Sequence, residues 1–117
     1  MRATFTVATD HTEWAMPECV AGFITDNGAS HFFSHLRSCD LPLGLYLAVT
    51  GQKVVGKSLL KWGLCTHYVP RDRLEELKRD LIDNIEKTSS REQIYQIISR
   101  HAENQGKIEL PENYDKI

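Results

Sequence analysis

The chain has 117 residues, enough for one domain with a modest core. Its residues are 41% hydrophobic and 26% charged, the balance of an ordinary globular protein rather than a disordered or fibrous one. A net charge of -2 gives no basis for holding nucleic acid or an anionic membrane surface, so neither is expected as a partner.

Taken in chain order, Thr4–Thr9 alternates polar and apolar residues, is rich in β-branched side chains and reads as a strand. Asp10-His11 is a turn, and Thr12–Met16 is a second short strand ended by Pro17. A short helix is expected over Gly28–Arg37, with Phe32, Phe33 and Leu36 inward, broken by Ser38-Cys39-Asp40. A second helix spans Leu43–Thr50, with Pro42 near its first turn and Gly51 as its stop. Val54-Val55 leads through Gly56 into a third helix, Lys57–Trp62, closed by Gly63. Leu64–Val69 is a strand stopped by Pro70.

Beyond Pro70 the pattern is helical. Arg71–Lys87 carries Leu74, Leu77, Leu81, Ile82 and Ile85 on one stripe with charges opposite. Ser89 and Ser90 precede Glu92 and Gln93 at capping-box spacing and open a helix with Ile94, Ile97, Ile98 and His101 on one side. The tail Lys107–Ile117 is polar. The reading is an α/β chain of one domain, with a mixed core over residues 1–70 and amphipathic helices over 71–117.

Three cysteines, Cys19, Cys39 and Cys65, lack framework spacing and read as reduced thiols. No apolar run approaches a membrane span, and Met1–Phe5 has no hydrophobic signal region, so no targeting segment is expected in this chain. His31 and His35 have the i, i+4 spacing of metal ligands, but no third ligand is near, and no metal site is expected. They read instead as partly buried helix residues near the site. Trp14, Phe23, Phe32 and Phe33 read as core, and the Leu74–Ile85 stripe as packing against parts of the domain outside the chain.

The stretch Trp14–Ser30 holds two acids, Glu18 and Asp26, in an otherwise apolar setting. On residues alone, Glu18 lies just past a strand end and Asp26 stands where its carboxylate can cap the following helix. The wording Met16-Pro17-Glu18, Gly22, Asp26, Gly28 and Ser30 resembles the 3-hydroxyisobutyryl-CoA hydrolases, a branch of the enoyl-CoA hydratase/isomerase (crotonase) superfamily. Leu45–Gly51 is similar to that family's Leu-Thr-Gly helix end, and Gly63-Leu64-Cys65-Thr66-His67-Tyr68-Val69-Pro70 to its Gly-(Leu/Ile)-Ala-Thr-His-Tyr-Val segment. Thr25 stands in place of its usual proline, Asn27-Gly28-Ala29 in place of Val-Gly-Gly, and His31 where an aromatic such as tyrosine is common.

The resemblance implies a partial crotonase-like fold, a ββα spiral followed by helices, corresponding to the middle of the family's catalytic domain. It implies hydrolysis of an acyl-CoA thioester, 3-hydroxyisobutyryl-CoA in valine catabolism, in the mitochondrion. Glu18 would be the catalytic carboxylate and Asp26 the second acid, orienting the substrate hydroxyl or a water. Gly22 and Gly28 would border the substrate, and no cofactor is needed because CoA is part of the substrate. The family's oxyanion donors come from glycine turns upstream of its Pro-Glu, and Met1–Pro17 contains no glycine; poor turnover by this chain alone is therefore expected. Self-association through an exposed strand edge is also expected. A hydratase or isomerase of the superfamily, and a catalytically silent segment, are the alternatives.

Overall fold

The structure, a computed structural model, describes residues 3–36, 41–84 and 90–103. Ten elements follow one another: strands β1 (Val7–Ala8) and β2 (Glu13–Trp14), helices α1 (Ala29–Ser34) and α2 (Leu41–Thr50), strand β3 (Val54–Val55), helix α3 (Ser58–Lys61), strand β4 (His67–Tyr68), a 3-10 turn (Arg71–Arg73), and helices α4 (Leu74–Asn84) and α5 (Arg91–His101). Apart from the Val54-Val55 strand and the 3-10 turn, the order of types agrees with the sequence reading, and the strands are shorter. Among the described residues each strand has one partner, and each ladder is two residues long. The Val54-Val55 pair, read as a connection, is a strand antiparallel to β2, with Trp14 opposite Val54. Cys39, Arg37, Ile85 and the Lys107–Ile117 tail lie outside the described residues.

β1 and β4 pair in parallel, with Val7 opposite His67 and Ala8 opposite Tyr68. Because successive side chains alternate, this ladder is buried on both faces. Ala8 joins a core made by Phe33, Leu43, Leu47, Val54, Leu59 and Leu64. Val7 and Phe5 face the other way, onto Val69, Leu77, Ile97 and Ile98. The helical segment after Pro70 is thereby packed onto the core through β1. Leu74, Leu77 and Leu81 are used within the chain, against α5 and β1, not held open for absent parts of the domain. Ile82 alone of the described stripe is left outside, 77% exposed.

Hydroxyls reinforce the ladder. Thr66 Oγ1 donates to the Thr6 carbonyl at 2.8 Å and accepts from the Thr6 N–H at 2.9 Å, while the Thr66 N–H reaches Thr6 Oγ1 at 3.1 Å. Since the Thr66 hydroxyl hydrogen is spent on that carbonyl, its 2.9 Å contact with His67 Nδ1 has the ring as donor. His67 Nε2 then accepts from Ser99 Oγ of α5 at 3.3 Å. His67 is buried between Phe5 and Tyr95, and burial lowers its pKa from the ordinary imidazole value. The Ser90–Gln93 capping box opens α5 as its spacing indicated, and His101 at the other end meets Asp80 of α4 at 2.8 Å. Lys57 at the start of α3 pairs with Glu103 just past α5, and the Glu103 N–H donates to the Tyr68 carbonyl at 3.0 Å.

Helices α1 and α2 approach each other closely at Gly44. A Cβ added at Gly44 would lie 2.4 Å from the Phe33 carbonyl oxygen, inside any tolerable contact with backbone. Trp14 meets Phe33 edge-on from the other side, ring centroids 5.7 Å apart.

Two stability outcomes follow. Gly44→Ala should destabilise the chain by about 1–3 kcal/mol, the typical range for overpacking a core, read as the shift in a urea midpoint. For His67, the folded state binds its proton less tightly than the unfolded state. The unfolded state therefore holds more protons once pH drops below the free imidazole range, and stability falls as pH drops from there through the lowered folded pKa. Urea midpoints across that window should fall more steeply for the native chain than for His67→Gln; parallel profiles would refute the assignment.

Candidate active site

Glu18 sits in a single helical turn after β2. The N–H of Val20 donates to the Pro17 carbonyl, that of Gly22 to Cys19, and that of Phe23 to Glu18 at 2.8 Å. This last pair of bonds is the closure of a Schellman turn, with Gly22 at its left-handed position (φ +81°). The turn is seated on the end of α2. A Cβ added at Gly51 would meet Pro17 Cα at 3.1 Å and Val20 Cγ2 at 3.2 Å.

Asp26 stands before α1, but its carboxylate does not cap that helix. The N-cap is Gly28, in the left-handed region (φ +76°), with no side-chain cap bond. What Asp26 contributes to the helix start is its backbone carbonyl, which accepts from Ala29 N–H at 2.9 Å. The preceding residue, Asn27, is also left-handed (φ +53°) and donates through Nδ2 to Asp26 Oδ1 at 2.7 Å. Asn27 and Gly28 thus put two consecutive positive φ values between Asp26 and the helix. The capping expectation thus fails on backbone geometry, and the carboxylate keeps one oxygen without a partner among the described residues.

Glu18 and Asp26 line one cavity of about 670 Å³. Trp14, Met16 and Phe32 contribute apolar lining, and Gly28, Ala29, His31 and His35 line it as well. Gly22 is not among the lining residues. Glu18 Oε2 is buried and has no hydrogen-bond partner. A buried carboxylate oxygen without a partner costs stability, and native structures hold few of them. Here the oxygen belongs to a residue that lines an open cavity of the size small ligands occupy.

Several residues were placed differently by sequence reasoning. Trp14 and Phe32, read as core, are half-buried: they pack against the core and also line the cavity, whereas Phe33 is wholly core. Phe23, also read as core, is 72% exposed beside Val20 and Ile24. His31 and His35 are exposed rather than partly buried. His67 lies outside the cavity and serves the ladder. Cys65 is a half-buried thiol whose pKa burial pushes up to about 11, which keeps it in the protonated form at neutral pH, and Cys19 and Cys65 are both free. Among the described residues, no three His, Cys, Asp or Glu side chains are grouped to hold a metal, and no helix is long and apolar enough to cross a membrane.

Comparison with known proteins places this arrangement. A family model described as enoyl-CoA hydratase/isomerase matches residues 1–117. A mitochondrial 3-hydroxyisobutyryl-CoA hydrolase from Xenopus laevis is 35% identical over 97% of this chain, which covers 29% of that protein. The small ribosomal subunit protein mS47 of Schizosaccharomyces pombe is 40% identical over 75% of this chain and 21% of its own length. Among solved structures, a carnitinyl-CoA dehydratase from Mycobacterium thermoresistibile superposes with a TM-score of 0.72 at 29% identity, over 97% of this chain and 30% of that one. The chain therefore spans less than a third of the length of these relatives.

Because the Asp26 carboxylate does not hold α1, Asp26→Ala should change unfolding free energy by less than about 0.5 kcal/mol, against the ~1 kcal/mol typical of a lost cap. A larger loss in thermal unfolding would show that the side chain supports the helix after all.

Proposed function

The chain belongs to the enoyl-CoA hydratase/isomerase family, with a partial crotonase-like fold, and from that membership we propose that it forms the carboxylate-bearing part of an acyl-CoA thioester hydrolase. The proposed substrate is 3-hydroxyisobutyryl-CoA, hydrolysed to 3-hydroxyisobutyrate and free CoA in valine catabolism. The observation that carries the reading is the unpartnered, buried Glu18 Oε2 on the same cavity as Asp26. An oxygen kept without a protein partner is free to take a proton from water, or to attack the thioester carbonyl itself. In the first course Glu18 accepts the water proton as the hydroxyl oxygen bonds to the carbonyl carbon. The C–S bond then breaks and CoA leaves as the thiolate.

Asp26 is assigned to orienting the water through its remaining free oxygen. Gly28, whose missing side chain leaves open space at the cavity, is assigned to the substrate's acyl end. Gly22 is assigned through the turn it closes beneath Glu18. No cofactor enters this scheme, since CoA arrives with the substrate. Mitochondrial residence is proposed on the name of the Xenopus relative. The exposed Val20, Phe23 and Ile24, together with the one-partner strands, support self-association as a further proposal.

The hydratase or isomerase alternative is supported by the dehydratase likeness, but Asp26 and the Thr66–Val69 wording favour the hydrolase branch. A non-catalytic role is the second reading, favoured by the similarity to a ribosomal subunit protein.

The test is a chimera in which this chain replaces the matching segment of the Xenopus hydrolase. Release of CoA from 3-hydroxyisobutyryl-CoA is expected, and Glu18→Ala in the chimera should lower kcat by roughly 100- to 10,000-fold, the range for loss of a general base. A folded chimera without turnover, or one indifferent to Glu18→Ala, would favour the non-catalytic reading.

A further inference from the structure

Helix α1 brings two imidazoles to the cavity that the proposed reaction leaves unused. His31 and His35 lie one helical turn apart, with ring centroids 4.2 Å apart and ring planes inclined by 34°. Both are exposed and both line the space that holds Glu18 and Asp26. His35, with Phe32, also borders a second, smaller cavity of about 170 Å³ that reaches Thr4, Thr6 and Thr66.

The hydrogen bonds of His35 define its tautomer. Its Nδ1 lies 2.8 Å from the His31 carbonyl oxygen and 2.9 Å from Ser34 Oγ. A carbonyl oxygen only accepts, so Nδ1 carries the hydrogen. The Ser34 hydroxyl hydrogen goes to the same carbonyl at 2.9 Å, so Ser34 Oγ also accepts from Nδ1. In the neutral ring this leaves the lone pair on Nε2. Among the described residues Nε2 has no partner. His35 is therefore held by its own helix, stacked on His31, with one acceptor left to offer.

The acids and this ring offer the cavity different kinds of acceptor. Glu18 is assigned the proton of the attacking water, and Asp26, with Oδ1 already bonded to Asn27, is assigned that water. The Nε2 of His35 is a neutral acceptor on the same cavity, fixed by its own backbone bond and without a role in that scheme. We propose that His35 is a specificity residue whose Nε2 accepts a hydrogen bond from the hydroxyl of a hydroxyacyl thioester, so that the site prefers hydroxyacyl over plain acyl groups. This rests on the acyl-CoA reading above. His31 acts as a positioning residue, through its carbonyl and its stacked ring.

The experiment compares binding of 3-hydroxyisobutyryl-CoA and isobutyryl-CoA to the purified 117-residue chain by equilibrium dialysis, with free CoA as control. The native chain should bind the hydroxyl-bearing thioester about three- to tenfold more tightly, the fold-change of one net hydrogen bond. His35→Phe keeps a ring and removes the acceptor, and should bring the ratio close to one. His35→Gln restores an acceptor and should recover part of the preference. Circular dichroism melts of both variants guard against loss of the fold. A ratio near one in the native chain, or one that survives His35→Phe, overturns the assignment to His35 while leaving the acyl-CoA reading in place. A ratio that instead collapses in Asp26→Asn moves the contact to Asp26 and overturns it likewise. Binding of neither thioester above free CoA removes the acyl-CoA reading, and this inference with it.

Discussion

The arrangement of the site depends on the absence of a side chain at Gly44. Six residues of α1 are too few to persist as a helix in water, so its position comes from packing. That packing is backbone against backbone: the Phe33 carbonyl occupies the space a Cβ at residue 44 would take. Gly51, at the other end of the same helix, does the equivalent for the Glu18 turn, where Pro17 and Val20 lie against it. One helix thus seats both walls of the cavity, α1 with its histidines through Gly44, and the carboxylate turn through Gly51. Neither wall has enough buried surface of its own to hold its place, since Val20, Phe23 and Ile24 are largely exposed and α1 buries only Ala29 and Phe33.

The parallel pair β1–β4 links this unit to the helical segment. It is only two residues long, yet each face feeds a different core, Ala8 one and Val7 the other. Thr6 and Thr66 exchange hydrogen bonds across it at the edge where a longer sheet would continue, and His67 carries the connection on to Ser99. The Thr-His-Tyr-Val wording that marks the hydrolase branch therefore does structural service here. Thr66 closes the ladder, His67 and Tyr68 link to α5 and its end, and Val69 is fully buried in the second core.

What could be read from the residues divides along physical lines. The amphipathic stripe of α4 and the Ser90–Gln93 box were legible because period and cap spacing are local properties of the chain. The ladders were overextended, because strand length depends on partners that no local pattern reveals. β3 was overlooked for the same reason: two valines between glycine-bearing turns make a strand only when β2 lies alongside. Asp26 misled because an acid before a helix is ordinarily a cap; two left-handed residues, Asn27 and Gly28, stand between it and the helix. The Asn-Gly pair was the available signal, since these residue types tolerate positive φ best. Trp14 and Phe32 looked like core because an aromatic half of whose surface lines a cavity has the same sequence signature as one wholly enclosed.

Glu18 is the place where local consistency is broken. Elsewhere the described buried polar groups have partners, as with His67 between Thr66 and Ser99. Glu18 Oε2 alone among the described residues is enclosed without one. The turn itself gives the carboxylate no donor: the N–H groups of Val20, Ala21, Gly22 and Phe23 close on the Pro17, Glu18 and Cys19 carbonyls. Departures of this kind tend to concentrate where function outweighs stability. The turn fixes the position of Glu18 and leaves its Oε2 without a hydrogen-bond partner.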